Sequence, residues 1–252
     1  MFEAILWGLV QGLTEFLPIS SSGHLVLVPA FLGVDQPDLA TSAVLHLGTL
    51  AAVVAYYRRD LVRLTRFGRD PGARRVLGLL ALGSIPATFG LLVEDQIGSL
   101  QEDPTAVAIA LLFTGVVLVI SGLFMDGNLP LERLPLKDGF LIGIAQGVAL
   151  IPGISRSGMT ITAGMSRGLE RSEAARFSFL LAVPAIAGAG AQQSLQLAGN
   201  GGVGGEVWLA TAVAAVSGYF AIAMLLRALN RFGLRLFALY CFIVATIALI
   251  TL

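Results

Sequence analysis

Two short stretches hold most of the chemistry available to an otherwise apolar chain of 252 residues. The first reads Gln11-Gly12-Leu13-Thr14-Glu15-Phe16-Leu17-Pro18-Ile19-Ser20-Ser21-Ser22-Gly23-His24. Gln11 and Glu15 stand one helical turn apart, so on a helix their oxygens share a face and could hold one cation. His24 follows three hydroxyls, and an imidazole with a near-neutral pKa can act as acid, base or nucleophile. The second stretch is Pro152-Gly153-Ile154-Ser155-Arg156-Ser157-Gly158-Met159-Thr160, with Arg156 the only charge between Asp138 and Arg167. A guanidinium fork matches phosphate oxygens bidentately, and the surrounding hydroxyls and helix-start N–H groups suit the same anion. Cation-holding oxygens, an anion clamp and an acid–base group thus point to chemistry on a phosphate.

Plainer readings exist for each residue. Glu15 and Arg156 could be an ion pair that locks two segments. Ser20, Ser21 and Ser22 could cap a helix. His46, beside Gly48 and Thr49, reads as a packed or cavity-lining polar residue, and Cys241 as a small buried apolar one.

The elements that must position these groups lie in a membrane. Hydrophobic residues make up 56% of the chain and charged ones 13%, well below the roughly 25% charged of a soluble domain. The zero formal charge gives no reason to expect a nucleic-acid partner, and two His with one Cys exclude a His/Cys metal cluster. Glu3 and Glu15 sit where a leader peptide would carry positive and uninterrupted apolar regions, so the first 33 residues are expected to stay in the fold.

Apolar runs at 41–57, 76–93, 105–125, 177–198, 207–226 and 236–252 predict six transmembrane helices. The loop 58–75 holds seven Arg against two Asp, while the turn with Glu94, Asp95, Glu102 and Asp103 has no basic residue. The positive-inside rule puts the Arg loop in the cytoplasm, and the remaining loops then agree without conflict. Residues 4–33 and 139–166 are apolar but broken by Pro, Gly and Ser. The second must enter and leave on the cytoplasmic side, which makes it a re-entrant helical hairpin.

The two broken stretches resemble each other. A shift of 135 positions pairs Gly8 with Gly143, Gln11 with Gln146, Gly12 with Gly147 and Ser20 with Ser155, and seven of sixteen positions agree, against about one expected by chance. The same shift carries the first three spans onto the last three with reversed direction. The expected fold class is therefore an all-α polytopic membrane protein, six spans plus two re-entrant hairpins in an inverted-topology repeat, 1–125 and 139–252. In such folds the broken helices meet near the bilayer middle and build the site.

On these motifs the chain resembles the undecaprenyl-diphosphate phosphatases, or bacitracin-resistance proteins, of bacterial cell-wall synthesis. The specific parts are Gln11-x-x-x-Glu15, Pro18 to His24, and Pro152 to Thr160, and the match covers essentially the whole chain. The resemblance implies hydrolysis of undecaprenyl diphosphate to the monophosphate and inorganic phosphate, in the plasma membrane, with the site facing outward. It also implies a divalent cation, Mg2+ or Ca2+, held by Glu15 and Gln11. Gln11 stands where the family often has Glu, leaving one fewer charge for the ion. Arg156 would clamp the diphosphate, with Ser155, Ser157, Thr160, Ser20 and Ser22 around it. His24 and Ser21 would be the catalytic pair, and Ser21, His24 or water the nucleophile.

Expected partners are the polyprenyl diphosphate and membrane lipids, with anionic headgroups against the Arg loop. The small residues of the spans also suit a homodimer. Two other classes fit part of the pattern. An inverted repeat with broken helices could transport a phosphorylated lipid, with no need of a metal or general acid. A Ser/His hydrolase acting on peptides would leave Arg156, Gln11 and Glu15 without a role.

Overall fold

The computed structural model describes residues 1–88, 100, 103–124, 127–198 and 204–252. Within them the regular structure is helical, with no strand: α1 Phe2–Phe16, α2 Ser21–Leu32, α3 Leu39–Tyr56, α4 Arg58–Leu64, α5 Pro71–Thr88, α6 Pro104–Ile120, α7 Leu136–Val148, α8 Arg156–Ser166, α9 Arg171–Ala198, α10 Gly205–Phe232 and α11 Arg235–Thr251. Side-chain oxygens set several starts, because they satisfy first-turn N–H groups that have no carbonyl partner. Asp38 accepts from Thr41 N at 2.7 Å, and Asp103 accepts from Thr105 N at 2.9 Å with Pro104 opening α6.

Polarity is distributed inside out. Ile109, Phe113, Val116 and Ile120 stand exposed along one face of α6, as do Leu239, Ile243, Ile247 and Ile250 along α11. Gln11, Glu15, Thr49, Thr114, Gln146 and Ser155 are buried. Water-soluble monomers rarely expose apolar stripes of this length, whereas lipid favours them. The segment Pro104–Phe124, which adds a 3-10 turn to α6, and the helix Gly205–Phe232 are each long and apolar enough to cross a membrane alone. The other helices miss that mark for local reasons. The arginines opening α5 dilute its apolarity, α11 is one residue short, and α3 bends by 77° into α4.

Partner exchange organises the packing. Helix α1 lies against α10 and α7 against α5, while α3 meets α9 and α6 meets α11. A Cβ on Gly8 would collide with the carbonyl oxygen of Ala210, and one on Gly143 with that of Gly83. Both glycines are therefore required by backbone approach rather than by torsion. The span expected over 76–93 is seen to Thr88, and its remaining residues lie outside the described ones, as do Glu94, Asp95, Glu102, Asp126 and Asn200.

On the side carrying the Arg-rich segment, ion pairs tie the elements together. Arg63 bonds to Asp70 at 2.8 Å and Glu132 at 2.6 Å, and Arg176 pairs with Asp60, Glu132 and Glu173. The helix α4 within that segment was not expected from the sequence, where the arginines read as loop.

Candidate active site

Helix α1 stops at Phe16 because Leu17 is extended and Pro18 follows. The chain then turns through Ser20, the only non-glycine residue with positive φ among the described ones, at 69°. Such a conformation is costly for a residue with a Cβ and must be held by its surroundings. Ser20 Oγ accepts from Gly23 N at 3.2 Å, and its carbonyl oxygen accepts from His24 N at 3.1 Å and His24 Nδ1 at 2.8 Å. Helix α2 thus starts at Ser21. Ser155 does the same for α8, accepting from Gly158 N at 3.1 Å, so that Arg156 occupies the first helical position.

The two breaks meet. Ser157 Oγ donates to the carbonyl of Leu17 at 3.0 Å. Each break is also held by one residue of a long helix: Thr114 Oγ1 donates to Gly153 O at 2.9 Å, and Cys241 Sγ donates to Pro18 O at 3.8 Å. The carbonyls are 135 positions apart and the donors 127 apart.

Glu15 is the hub of the site. Its Oε2 accepts from Ser21 Oγ at 2.6 Å and Gln11 Nε2 at 2.9 Å, and its Oε1 accepts from Arg156 Nη2 at 3.0 Å. His46 Nε2 stands 3.6 Å from Oε2. The Glu15 side chain is 5% exposed and that of Arg156 17%. Next to them is a cavity of about 270 Å³ lined on its polar side by Glu15, Ser20, Ser21, Ser22, His46 and Arg156, with Ser155 beside them. Arg156 Nη1 is buried and has no hydrogen-bond partner among the described residues. A desolvated, half-satisfied guanidinium at a cavity of hydroxyls is arranged to receive an anion.

The fit to a divalent cation rests on hard oxygen donors. Glu15 is the carboxylate at the cavity, and Gln11 Oε1 is buried without a partner. No group of three or more His, Cys, Asp or Glu able to hold an ion occurs among the described residues. The donor set therefore suits Mg2+ or Ca2+ only with phosphate oxygens and water in most positions, as is usual for Mg2+ at phosphate sites.

Some expected site residues lie elsewhere. His24 does not reach Ser21. Its Nδ1 donates to the Ser20 carbonyl, the Tyr240 hydroxyl donates to its Nε2 at 2.8 Å, and it is 4% exposed. Ser21 is bonded to Glu15 rather than to His24, and the imidazole that lines the cavity belongs to His46. Ser157 and Thr160 do not line the cavity. Ser157 is spent on Leu17, while Thr160 Oγ1 bonds to the carbonyl of Arg156 at 2.8 Å and to Ser178 Oγ at 2.6 Å. Tyr240 and Thr114 were not singled out by sequence. A hydroxyl midway along an apolar span was the available signal for Thr114.

This arrangement can be set beside known proteins. The family model described as bacitracin resistance protein BacA matches residues 4–247. The chain belongs to this family. It is 44% identical to an undecaprenyl-diphosphatase of Pseudarthrobacter chlorophenolicus, over 95% of this chain and 92% of the relative. It is 43% identical to one of Rubrobacter xylanophilus, over 98% and 96%, and 40% identical to one of Halothermothrix orenii, over 99% and 97%. Across the BacA family match, both broken stretches and the helices that hold them fall within the aligned residues.

Proposed function

We propose that the chain hydrolyses undecaprenyl diphosphate to undecaprenyl phosphate and inorganic phosphate, recycling the carrier lipid of wall synthesis and so conferring bacitracin resistance. Beyond the names of its relatives, one observation carries the reading. Ser21, the Glu15 carboxylate and a half-satisfied Arg156 converge on one cavity inside an apolar protein. A nucleophile, a proton acceptor and an anion clamp are what phosphoryl transfer needs.

In the proposed reaction the substrate's terminal phosphate lies against Arg156 Nη1, with Ser20, Ser22 and Ser155 as further donors. Ser21 Oγ attacks the terminal phosphorus while its proton passes to Glu15. The bond from that phosphorus to the bridging oxygen breaks, and undecaprenyl phosphate leaves. Water then cleaves the phosphoserine to release inorganic phosphate. His46 is the second proton-accepting group within the cavity. A divalent cation held by Glu15, with Gln11 Oε1 beside it, would neutralise charge on the phosphate oxygens. Arg156 meanwhile keeps the hub in place between Glu15 and the substrate.

The proposed architecture is six spans and two re-entrant hairpins, related as an inverted repeat of 1–125 and 139–252. The exchange of partners between α1·α10 and α7·α5 supports it, as do the paired contacts of Thr114 and Cys241. The arginine-rich segment 58–75 favours an orientation in the plasma membrane with that end cytoplasmic and the cavity outward.

Phosphate release by purified protein in detergent tests the reading, with and without chelator, on the unmodified chain and on Ser21→Ala and Arg156→Ala. Cation-dependent turnover lost in both variants is expected. A folded protein that releases no phosphate with any cation would move the reading to transport of a phosphorylated lipid.

A further inference from the structure

The cavity has a second wall that plays no part in the reaction just described. Besides the polar groups it is lined by Ala149, Leu150 and Ile154 from the break between α7 and α8, and by Ala185, Ile186 and Gly190 from α9. These two segments come from different elements, and both continue onto the outer surface. Val148 and Ile151 flank the first and are 38% exposed each. Pro184, Ala187 and Gly188 flank the second and are also exposed. A Cβ built on Gly188 would meet nothing within 4 Å. On the polar side Ser20, Glu15 and the neighbouring Phe16 and Ile19 are buried, and Ser21, Ser22 and His46 are half-buried, so what surface that side offers is polar.

Taking the lipid-diphosphate reading as its basis, we propose that the 148–154 turn and the 184–190 face of α9 form a lateral portal. Through it the prenyl tail passes from the cavity into the bilayer, and Ala185 and Ile186 set what tail is admitted. Continuity with the Arg156 site favours the tail as occupant. A diphosphate anchored at Arg156 leaves its hydrocarbon on the apolar wall, which offers it alanine and isoleucine and no charge. An apolar chain in lipid loses nothing by lying across such a rim, whereas leaving past Ser21, Ser22 and His46 would set it against hydroxyls and an imidazole it cannot bond to. The small residues at 185, 188 and 190 leave room on the α9 side of the rim, as a passing chain requires.

The test separates tail from head. Ala187→Trp and Gly188→Leu place bulk in the portal at exposed positions outside the cavity lining. For each, the KM for undecaprenyl diphosphate and the inhibition constant of inorganic pyrophosphate are measured. Pyrophosphate carries the head alone. KM should rise at least about tenfold, with kcat and the pyrophosphate constant within about twofold of the unmodified chain. A pyrophosphate constant that rises in step with KM would overturn the proposal, since the damage would then be to the polar site. An unchanged KM in the folded Gly188→Leu protein would place the tail elsewhere. If the unmodified chain releases no phosphate, the phosphatase reading fails; if it turns over normally while both variants behave like it, only the portal does.

Discussion

The hydroxyl of Ser21 donates to Glu15 across 2.6 Å from the helix that follows the break to the helix that precedes it. The same carboxylate holds Arg156, 141 positions later in the chain. Glu15 therefore has two tasks, orienting a nucleophile and joining the two hairpins. Glu15→Gln should separate them, because the amide keeps much of the geometry and loses basicity. We expect kcat to fall by about 10²–10⁴ while the melting temperature in detergent changes far less. A variant that melts before it can be assayed would mean the ion pair dominates.

Arg156→Lys should not rescue Arg156→Ala. An ammonium cannot use the fork that spans Glu15 Oε1 and a phosphate oxygen at once. Both variants are expected to lose at least about 2 kcal/mol of transition-state stabilisation, read as kcat/KM for phosphate release. Near-full activity in the lysine variant would argue for a simple point charge at this position.

Gln11→Glu should tighten cation binding. A second carboxylate beside Glu15 adds charge to a donor set that has little. The half-activating Mg2+ concentration is expected to drop by about tenfold, measured by titration after chelation. No change would remove position 11 from the cation site.

Tyr240→Phe deletes one hydrogen bond, to His24 Nε2. If His24 serves the left-handed turn at Ser20, the variant should lose roughly 1 kcal/mol of stability with turnover largely kept. His24→Ala should lose more, because the Ser20 carbonyl loses its side-chain donor, keeping only the backbone N of residue 24, and Ser21 follows directly. Equal, complete loss of turnover in both, at unchanged stability, would return His24 to the chemistry.

Asp70 carries a pH signature on the arginine-rich side. Its hydrogen bond from Arg63, helped by that of Ala73 N, lowers its pKa to about 2 from 3.8. A carboxyl depressed on folding contributes stability above its unfolded pKa and loses it as pH falls through the folded one. The melting difference between the unmodified chain and Asp70→Asn should hold constant down to pH 4 and shrink between 4 and 2. A difference that is flat through that window would mean the ion pair adds nothing.

The breaks were legible because proline, glycine and serine interrupt apolar runs at Pro18 and Pro152, whereas the caps that Asp38 and Asp103 supply emerged only with the structure. The meeting of Glu15 with Arg156 followed from the repeat. The direction of His24 did not. Nine residues separate it from Glu15, but four of them, Leu17 to Ser20, form a turn whose left-handed Ser20 no propensity announces. The partner that takes its second nitrogen, Tyr240, lies 216 positions away. His46 entered the site because α3 packs beside α1, a tertiary fact that its own neighbours in the chain do not encode. Helix α4 was hidden for a different reason: its arginines are explained equally well by topology as by a helix turned 77° from α3.

The close approach of Gly8 to Ala210 and of Gly143 to Gly83 has a consequence for how the protein is made. Helix α1 leaves the ribosome about 200 residues before the helix it packs against, and Glu15 waits in the bilayer for an arginine not yet synthesised. Contacts so distant in sequence form late. The nascent chain thus carries Ser21 and Glu15 without Arg156 until its second half arrives, and on the proposed reading assembly of the fold and arrival of competence become a single event.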